Sequence, residues 1–567
     1  MVPPLEEREV GARREDNQDG NRVSLPRFFS RIGDSIGPLI GGSDVRAFLS
    51  SKSVLLAAPP DLDQHPFHLA GFLLSVNLCA RLYPQLRVVA PSRVVDESQA
   101  LALQINPACD FVVGEGVTDA DLAWACPGRG PKSVVVAPVG WEVLIDLPEA
   151  GRVRSTNMLA SLAGAAIGTA ELFRQVFAEF LPKGRVGPSP GRFNVLTHGP
   201  TSAMLPDLPP DIPLGRVHLV GAGAVGQAAV YALARVSATG TIIVVDPQEV
   251  AISNLQRYVL AMDGDVGTSK CAIVERTLKN KLETVSVPAS WSLDRPETQN
   301  AEVICAAVDS EDIRIALQAS LPRRVYNAWT QPDDIGWSRH ERFGVDPCVA
   351  CLYWPARPRP SYHELVARAI RQHELRTLSY LSAKIPVDVP LQGAQVPRLQ
   401  GYPVPAEASA WTERSLLEDV AAQLGVSDED VKIWKGRLLS DLYHEGICGG
   451  ALVRRQQGDI SVEMAVPLPH QSVLAGIMLA TQLLVAARDD LRVHRTASVE
   501  SRLDLLAGFP QLSGRPRQRS PNCICSDADF LERYRAKWAW TTPQAASNPV
   551  PQPNGVDAGV GSSPVVP

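Results

Sequence analysis

The chain has 567 residues, of which 45% are hydrophobic and 20% charged, a composition typical of a globular protein large enough for more than one domain. Its net charge of -6 argues against a nucleic-acid partner held by general electrostatics, and its 10 cysteines are not spaced as a disulfide framework. Residues 1–21 lack the apolar core of a secretory signal, and the longest apolar run, residues 472–487, is shorter than a bilayer span. We therefore expect a cytoplasmic protein without a membrane partner.

The first third of the chain predicts a disordered lead-in followed by an α/β domain. Residues 1–25 mix charges with few apolar side chains, which favours disorder. Within residues 26–181, strands are predicted at 53–59, 86–91, 110–114 and 132–139, with a helix at 71–82. None of these strands is followed by a Gly-x-Gly-x-x-Gly motif, so we do not expect this domain to bind a nucleotide.

A weak internal repeat connects this domain to the second half of the chain. Residues 157–173 and 471–487 both read as helices rich in small side chains, late in their regions. The repeat favours a degenerate copy of a domain whose working copy follows, although an unrelated α/β domain remains open. Residues 182–213 are rich in Pro and Gly and are predicted to be the linker.

The most informative stretch is a βαβ unit that begins at Val217. Its first strand meets the motif Gly221-x-Gly223-x-x-Gly226, a helix follows, and the second strand ends on Asp246. The glycines let the backbone approach a phosphate at a helix N-terminus, and the acidic residue lies where it would reach a ribose. These features alone leave open NAD or another nucleotide.

Charged residues after this unit favour a nucleoside triphosphate. Asn254, Arg257 and Lys270 follow Asp246, and an NAD-binding domain has no need of the two cations. A polyphosphate needs them, because its negative charge must be matched. Asp309 follows a predicted strand at 303–307, at the edge of the sheet where ligands gather, although it would also suit a helix cap.

Together these motifs resemble the adenylation domain of the ubiquitin-activating-type, ThiF/MoeB-like adenylyltransferases. The similarity covers residues 210–355 and resumes at 465–540. It implies ATP and Mg²⁺ as cofactors, with Asp246 on the ribose, Asn254 in the nucleotide site, Arg257 and Lys270 on the phosphates, and Asp309 on Mg²⁺.

The resemblance also implies the architecture. We expect an α/β fold with two Rossmann-like adenylation-type domains in one chain, the first degenerate and the second active, the second formed by residues 214–355 and 465–540. Relatives pair an inactive half with an active half, or form homodimers, so this chain is pseudo-dimeric and a homodimer of it stays open. The family also uses an arginine from the partner half, for which Arg31 or Arg27 is the candidate.

Two cysteine pairs predict a structural zinc site. Cys348 and Cys351 are separated by two residues, and Cys523 and Cys525 by one, which is tighter than the family's usual spacing. Four thiolates in two close pairs suit a tetrahedral zinc ion, which would fasten the end of the chain to the domain without taking part in chemistry. Four ordinary free thiols are the alternative.

Residues 356–464 form an insert with predicted helices at 360–381, 412–424 and 427–443. In activating enzymes the segment at this place crosses the nucleotide site and carries the nucleophilic cysteine. The candidate here is Cys448, which lies beside glycines and near His444, with a buried cysteine on a turn as the alternative. Residues 541–567 are predicted to be disordered.

The function implied by the resemblance is ATP-dependent activation of the C-terminal carboxylate of a ubiquitin-like protein. Adenylation would precede thioester formation on Cys448 and transfer to a conjugating enzyme. Bacterial ubiquitin-like conjugation systems, several of them linked to antiviral defence against phage, contain enzymes of this design. Two alternatives stay open: an adenylyltransferase acting on a sulfur-carrier protein or peptide without a thioester, and an NAD-dependent oxidoreductase.

Overall fold

A computed structural model of the protein describes residues 51–150, 157–178, 190–199, 204–331, 334–353, 362–392, 395, 405–424, 431–432, 434–442, 468–496, 498–506 and 517–539. These residues form two seven-stranded sheets flanked by helices and a smaller helical cluster. The prediction of an α/β fold with two Rossmann-like domains is confirmed.

The first domain is built on a sheet of order β3-β2-β1-β4-β5-β6-β7. The first five strands are parallel, and the last two are antiparallel. The strands are β1 (Ser53–Ala57), β2 (Gln85–Val89), β3 (Asp110–Val113), β4 (Ala120–Trp124), β5 (Ser133–Val139), β6 (Glu142–Ile145) and β7 (Gly191–Asn194). The helices are α1 (Pro66–Ala80), α2 (Ser92–Ile105) and α3 (Met158–Val176).

The second domain repeats this strand order as β10-β9-β8-β11-β12-β13-β14. Again the last two strands are antiparallel. The strands are β8 (Ile212–Val220), β9 (Ala238–Val245), β10 (Glu283–Val287), β11 (Val303–Ala306), β12 (Arg324–Thr330), β13 (Ile335–His340) and β14 (Glu500–Leu503). Helices α4 (Ala224–Leu233), α5 (Lys270–Leu278) and α6 (Glu311–Ala319) connect the parallel strands.

The helical cluster lies between β13 and β14 in the chain and has its own core. It contains α7 (Tyr362–Ala369), α8 (Glu374–Ala383), α9 (Leu416–Leu424) and α10 (Leu439–Leu442), packed around Trp411 and Trp434. The single helix predicted at 360–381 is two helices, because Arg371 adopts a φ of 52° and His373 caps the start of α8. Gly436, with a φ of 75°, likewise interrupts the helix predicted at 427–443.

The chain then returns to the second domain through α11 (Pro469–Ala486), α12 (Asp489–Arg492), β14 and α13 (Ala528–Ala539). By length and composition α11 is apolar enough to cross a membrane, but 94% of it is buried inside the protein. It packs on α4 and on α3. We therefore interpret it as a core helix, as its sequence predicted.

The repeat inferred from residues 157–173 and 471–487 is matched by the topology. The two stretches correspond to α3 and α11, and each helix lies between the sixth and seventh strands of its domain. The two helices pack on each other, and buried side chains of both domains form one continuous core. The shared strand order supports a duplication and disfavours an unrelated first domain.

The first domain is longer than the sequence predicted. Residues 182–213, expected to be a linker, include β7, which pairs with β6, and the start of β8. Strand β4 was not predicted either. Four- and five-residue strands flanked by Gly and Pro carry too little alternation to stand out in a sequence.

Candidate nucleotide-binding site

The turn between β8 and α4 has the shape of a phosphate-binding loop. Gly221 has a φ of 93°, and a Cβ there would lie 2.5 Å from the Ala307 carbonyl oxygen. A Cβ on Gly226 would clash with the Gly221 carbonyl oxygen. At Gly223 the nearest atom to an added Cβ is the Tyr258 hydroxyl oxygen at 3.5 Å. The protein itself therefore requires two of the glycines, while the third leaves space for a ligand.

Asp246 joins the end of β9 to this loop. Its Oδ2 accepts a hydrogen bond of 2.8 Å from the Ala222 N–H, and its Oδ1 accepts one of 2.8 Å from the Gln248 N–H. The side chain is 6% exposed and lines the cavity above the loop. Two backbone donors fix the carboxylate where the sequence predicted a ribose contact.

A cavity of about 770 Å³ opens at the carboxyl ends of the parallel strands of the second domain. That volume lies within the usual range for small-molecule sites. The predicted residues brought together in its wall are Gly221, Gly223, Asp246, Arg257, Lys270 and Asp309.

Two cations in this wall have no carboxylate partner among the described residues. Lys270 is 4% exposed and its Nζ donates to the Gln248 Oε1 over 2.7 Å. The Arg257 Nη1 is buried without a hydrogen-bond partner in the described part of the chain. The centroid of the Tyr258 ring is 5.1 Å from the Lys270 Nζ and 5.6 Å from the Arg257 Cζ. Buried cations normally have a counter-charge, so the arrangement suits an anionic ligand.

Asn254, also predicted to lie in the site, is placed beside it and does not line the cavity. Its Oδ1 accepts from the Ala251 N–H over 2.9 Å, and its carbonyl oxygen accepts from the Arg257 N–H over 3.0 Å. Asn254 thus shapes the turn Ile252–Asn254 that presents Arg257. Gly226, the third glycine of the motif, also does not line the cavity, and its lack of a side chain is required by the close approach of the Gly221 carbonyl oxygen.

Asp309 lies beyond the end of β11 and is exposed to the cavity. Ser310, and not Asp309, caps α6, because its Oγ accepts from the Ile313 N–H over 3.3 Å. The capping alternative for Asp309 is therefore not needed. Arg314 holds this segment in place by donating to the Tyr353 hydroxyl over 2.7 Å and to the Val308 carbonyl.

The opposite wall was not predicted from the sequence. Arg502 and Arg517 line it, and both donate to Glu500, which is completely buried; the Arg517 bond is 2.9 Å long. Arg502 also donates to the Asp334 Oδ2 over 2.9 Å. These residues come from β14, the segment before α13 and the β12–β13 turn, so no local spacing could have indicated them.

The four predicted cysteines form one buried cluster. The Cys348–Cys523 and Cys351–Cys525 sulfur pairs are 3.5 and 3.4 Å apart, and Cys348 and Cys351 are 4.0 Å apart. All four sulfurs lie within 4.8 Å of one another. A tetrahedral zinc with Zn–S bonds of about 2.3 Å would set sulfur–sulfur edges of about 3.8 Å. The four side chains therefore fit such an ion.

Two further cysteines of the second domain, Cys271 and Cys305, are buried. Cys448, His444, Arg27 and Arg31 lie outside the described residues, so their roles stay predictions.

The fold is Rossmann-like, and the cavity at the strand ends would suit an anionic ligand. The model of the ThiF family matches residues 211–327. Protein y4jF of Sinorhizobium fredii, described as uncharacterized, is 31% identical over 535 residues, covering 91% of this chain and 98% of that protein. The chain belongs to the ThiF family, the ThiF/MoeB-like adenylyltransferases, whose chemistry is adenylation of a carboxylate.

Other similar proteins match smaller parts. The SAMP-activating enzyme E1 of Haloferax volcanii is 38% identical over 101 residues, which are 17% of this chain and 36% of that protein. Among solved structures, E. coli MccB with MccA-N7isoASN has a TM-score of 0.30 and 12% identity, covering 55% of this chain and 67% of its own. PaaA has a TM-score of 0.21 and 23% identity, covering 24% and 44%.

Proposed function

We propose that this protein uses ATP to adenylate the C-terminal carboxylate of a ubiquitin-like protein and then holds the acyl group on Cys448 as a thioester for a conjugating enzyme. The observation that carries the adenylation step is the pair of cations, Lys270 and Arg257, that lie without a carboxylate partner beside the glycine loop. NAD, whose diphosphate carries fewer negative charges than a triphosphate, accounts for these cations less well.

Each residue of the site has a place in the binding of ATP. The loop at Gly223 and the N-terminus of α4 would receive a phosphate, and Asp246 would hold the ribose. Lys270 and Arg257 would neutralise the outgoing pyrophosphate. Asp309, exposed at the strand ends, would bind Mg²⁺, which supplies further positive charge at the phosphates.

The chemistry is positioning and electrostatics. A carboxylate oxygen of the substrate attacks the α-phosphorus, a P–O bond forms, and the bond to the β-phosphate oxygen breaks, so that pyrophosphate leaves with the bonding electrons. Negative charge on that leaving group is stabilised by cations already fixed in the wall, at no reorganisation cost during the reaction. The product is an acyl adenylate, in which AMP replaces hydroxide as leaving group.

The thioester step rests on the resemblance of the insert to the family's cysteine-bearing segment. The Cys448 thiol would lose its proton to solvent or to a base such as His444, and the resulting thiolate would attack the acyl carbonyl, form the C–S bond and expel AMP. The relative from Haloferax volcanii is a SAMP-activating enzyme E1, and this supports a peptide or protein substrate. We further propose that the cysteine cluster binds structural zinc and that the enzyme works in the cytoplasm, where such thiols stay reduced.

Isotope exchange between ATP and pyrophosphate tests the proposal. The full-length protein is incubated with ATP, labelled pyrophosphate, Mg²⁺ and a candidate ubiquitin-like protein, and exchange and thiol-sensitive adducts are measured. We expect exchange that depends on the substrate carboxylate, and an adduct released by thiols. Cys448→Ala should keep exchange and lose the adduct, whereas Lys270→Ala should lose both.

The outcomes separate the candidate functions. Exchange without any thiol-sensitive adduct would leave adenylation standing and remove the thioester. Binding of NADH with no exchange would overturn the proposed function.

A further inference from the structure

We propose that Arg81, a residue of the nucleotide-free first domain, is a positioning residue for the adenylation site, because it fixes the loop that presents Arg257. The loop that presents Arg257 comprises residues 255–261 and is referred to below as the 255–261 loop. This inference rests on the proposed function, and it assigns the first domain a role in the reaction.

Arg81 belongs to the first domain, and its side chain hydrogen-bonds to the backbone of the second domain. It follows α1 and is completely buried. Its Nη2 donates to the Ala261 carbonyl oxygen over 2.9 Å and to the Val259 carbonyl oxygen over 3.3 Å, and its Nη1 donates to the Leu255 carbonyl oxygen. One guanidinium therefore holds both ends and the middle of the 255–261 loop.

Asn77, one turn earlier on α1, completes the anchor. Its Oδ1 accepts from the Arg81 Nε over 2.8 Å, and its Nδ2 donates to the Val259 carbonyl oxygen over 3.1 Å. The amide thus orients the guanidinium and adds a direct bond to the loop. A planar fork of five donors suits several carbonyls better than an ammonium does.

Stability alone does not account for a buried arginine at this place. No carboxylate in the described part of the chain forms an ion pair with Arg81, and burial lowers its pKa to about 9. A charge buried in this way is costly. The cost is understandable if the loop carbonyls must be held in one arrangement.

The arrangement matters because of what the loop carries. Arg257 and Tyr258 lie within it and line the cavity, and the Tyr258 ring lies beside the Lys270 Nζ. A loop free to shift would move the Arg257 guanidinium relative to the phosphates. Displacements of about 1 Å can reduce a rate by about 10²-fold.

A double-mutant cycle in the full-length protein tests this role. ATP–pyrophosphate exchange is measured for Arg81→Met, Arg257→Ala and the double variant, with kcat and the KM for ATP determined separately. We expect Arg81→Met to lower kcat on the order of 10²-fold, with a smaller change in KM, and to have no further effect when Arg257 is already alanine. Arg81→Lys should restore only part of the rate.

Two further variants keep the result interpretable. Phe173→Leu is the matched control, since Phe173 packs at the same domain contact, with its ring 5.5 Å from the His470 ring, and does not bond the loop. It should lower thermal stability without changing kcat. If Arg81→Met does not fold, Asn77→Ala removes one loop bond and should show a weaker form of the same kcat loss.

The inference would be overturned by normal exchange in Arg81→Met or Asn77→Ala, by losses that add to those of Arg257→Ala, or by an equal kcat loss in Phe173→Leu. Absence of exchange in the wild-type protein would instead refute the proposed function. In that case the affinity for ATP, measured by calorimetry, still tests whether Arg81 anchors Arg257. If it does, Arg81→Met must bind ATP more weakly than the wild-type protein.

Discussion

At the scale of single residues, the glycine loop separates what the fold requires from what a ligand requires. A side chain at Gly226 clashes with the Gly221 carbonyl, whereas one at Gly223 meets nothing closer than 3.5 Å. We predict that Gly226→Ala lowers the free energy of unfolding by roughly 1–3 kcal/mol through overpacking and also abolishes ATP binding.

Gly223→Ala is the matched control for that change. It should unfold at nearly the wild-type temperature and still bind ATP more weakly, because the added methyl lies where a phosphate approaches. Thermal unfolding and titration calorimetry measure the two quantities. Equal destabilisation by both substitutions would contradict the division.

Lys270 is a second residue whose replacement is expected to affect activity and stability differently. Its ammonium is buried and hydrogen-bonds to a neutral amide, so its charge is not compensated within the described residues. We predict that Lys270→Met keeps or raises the melting temperature while pyrophosphate exchange falls by on the order of 10²-fold. A clear drop in melting temperature would show that the lysine is part of the fold and not of the phosphate site.

The residues of the glycine loop and Lys270 could be found from the sequence, because they follow one another at short spacing along one βαβ unit. Arg502, Arg517 and Glu500 could not, since the insert separates them from the rest of the site and only the sheet brings them back. For Asn254 the difficulty was different. The sequence motif identified the residue, but its side chain stabilises the turn that carries Arg257 and does not line the cavity.

At the scale of elements, the cysteine cluster joins the end of the chain to the second domain. The turn Ile524–Ser526 carries Cys525 and leads into α13, whose Trp538 Nε1 donates to the Leu321 carbonyl over 2.9 Å. Zinc in this cluster would therefore fix α13 from one side while Trp538 fixes it from the other.

We predict that Cys525→Ser lowers bound zinc to well below one equivalent and makes the α13 segment sensitive to protease, while pyrophosphate exchange persists because the cluster lies outside the cavity. Metal analysis and limited proteolysis measure the effect. Cys126→Ser, at a half-buried cysteine of the first domain, is the control and should change neither. Purified wild-type protein without zinc would contradict the assignment.

Most of the parallel strands were predictable, because buried runs of Val, Leu and Ile between helices have few other interpretations, but β4, at the centre of the first sheet, was not. The antiparallel strands β6, β7, β13 and β14, at one end of each sheet, were not predictable either, since they are short and their pairing depends on distant segments. The break at Arg371 was also missed, because a positive φ at an arginine leaves no mark in the sequence.

At the scale of the whole molecule, the contact between the domains contains buried histidines. Burial, assisted by the charge of Arg339, lowers the pKa of His198 from 6.5 to about 3. Burial also lowers the pKa of His470 from 6.5 to about 3, and neither ring nitrogen has a hydrogen-bond partner among the described residues. Both rings are therefore neutral in the folded protein at neutral pH.

The sign of the pH dependence follows. The unfolded chain binds a proton at each histidine near pH 6.5 and the folded protein only near pH 3, so stability is complete above pH 6.5 and falls as pH drops from 6.5 towards 3. Each group contributes up to roughly 1.4 kcal/mol per pH unit in that window. We predict that His470→Leu flattens the curve of melting temperature against pH between pH 6.5 and pH 3, as measured by thermal unfolding at a series of pH values.

The duplicated plan was visible in the sequence only as two similar helices. What the sequence could not indicate is how the copies are joined, because Asn77 and Arg81 lie in no motif and reach residues about 180 positions away. Contacts of that kind depend on the packing of α3 against α11.

The two domains belong to one polypeptide, and this determines how the Arg81 anchor depends on protein concentration. An anchor supplied by a separate subunit is lost when the protein is diluted below the dissociation constant, whereas a tethered one faces its target at a fixed, high local concentration. We therefore expect the Arg81 anchor to brace the proposed adenylation site of its own polypeptide at any protein concentration.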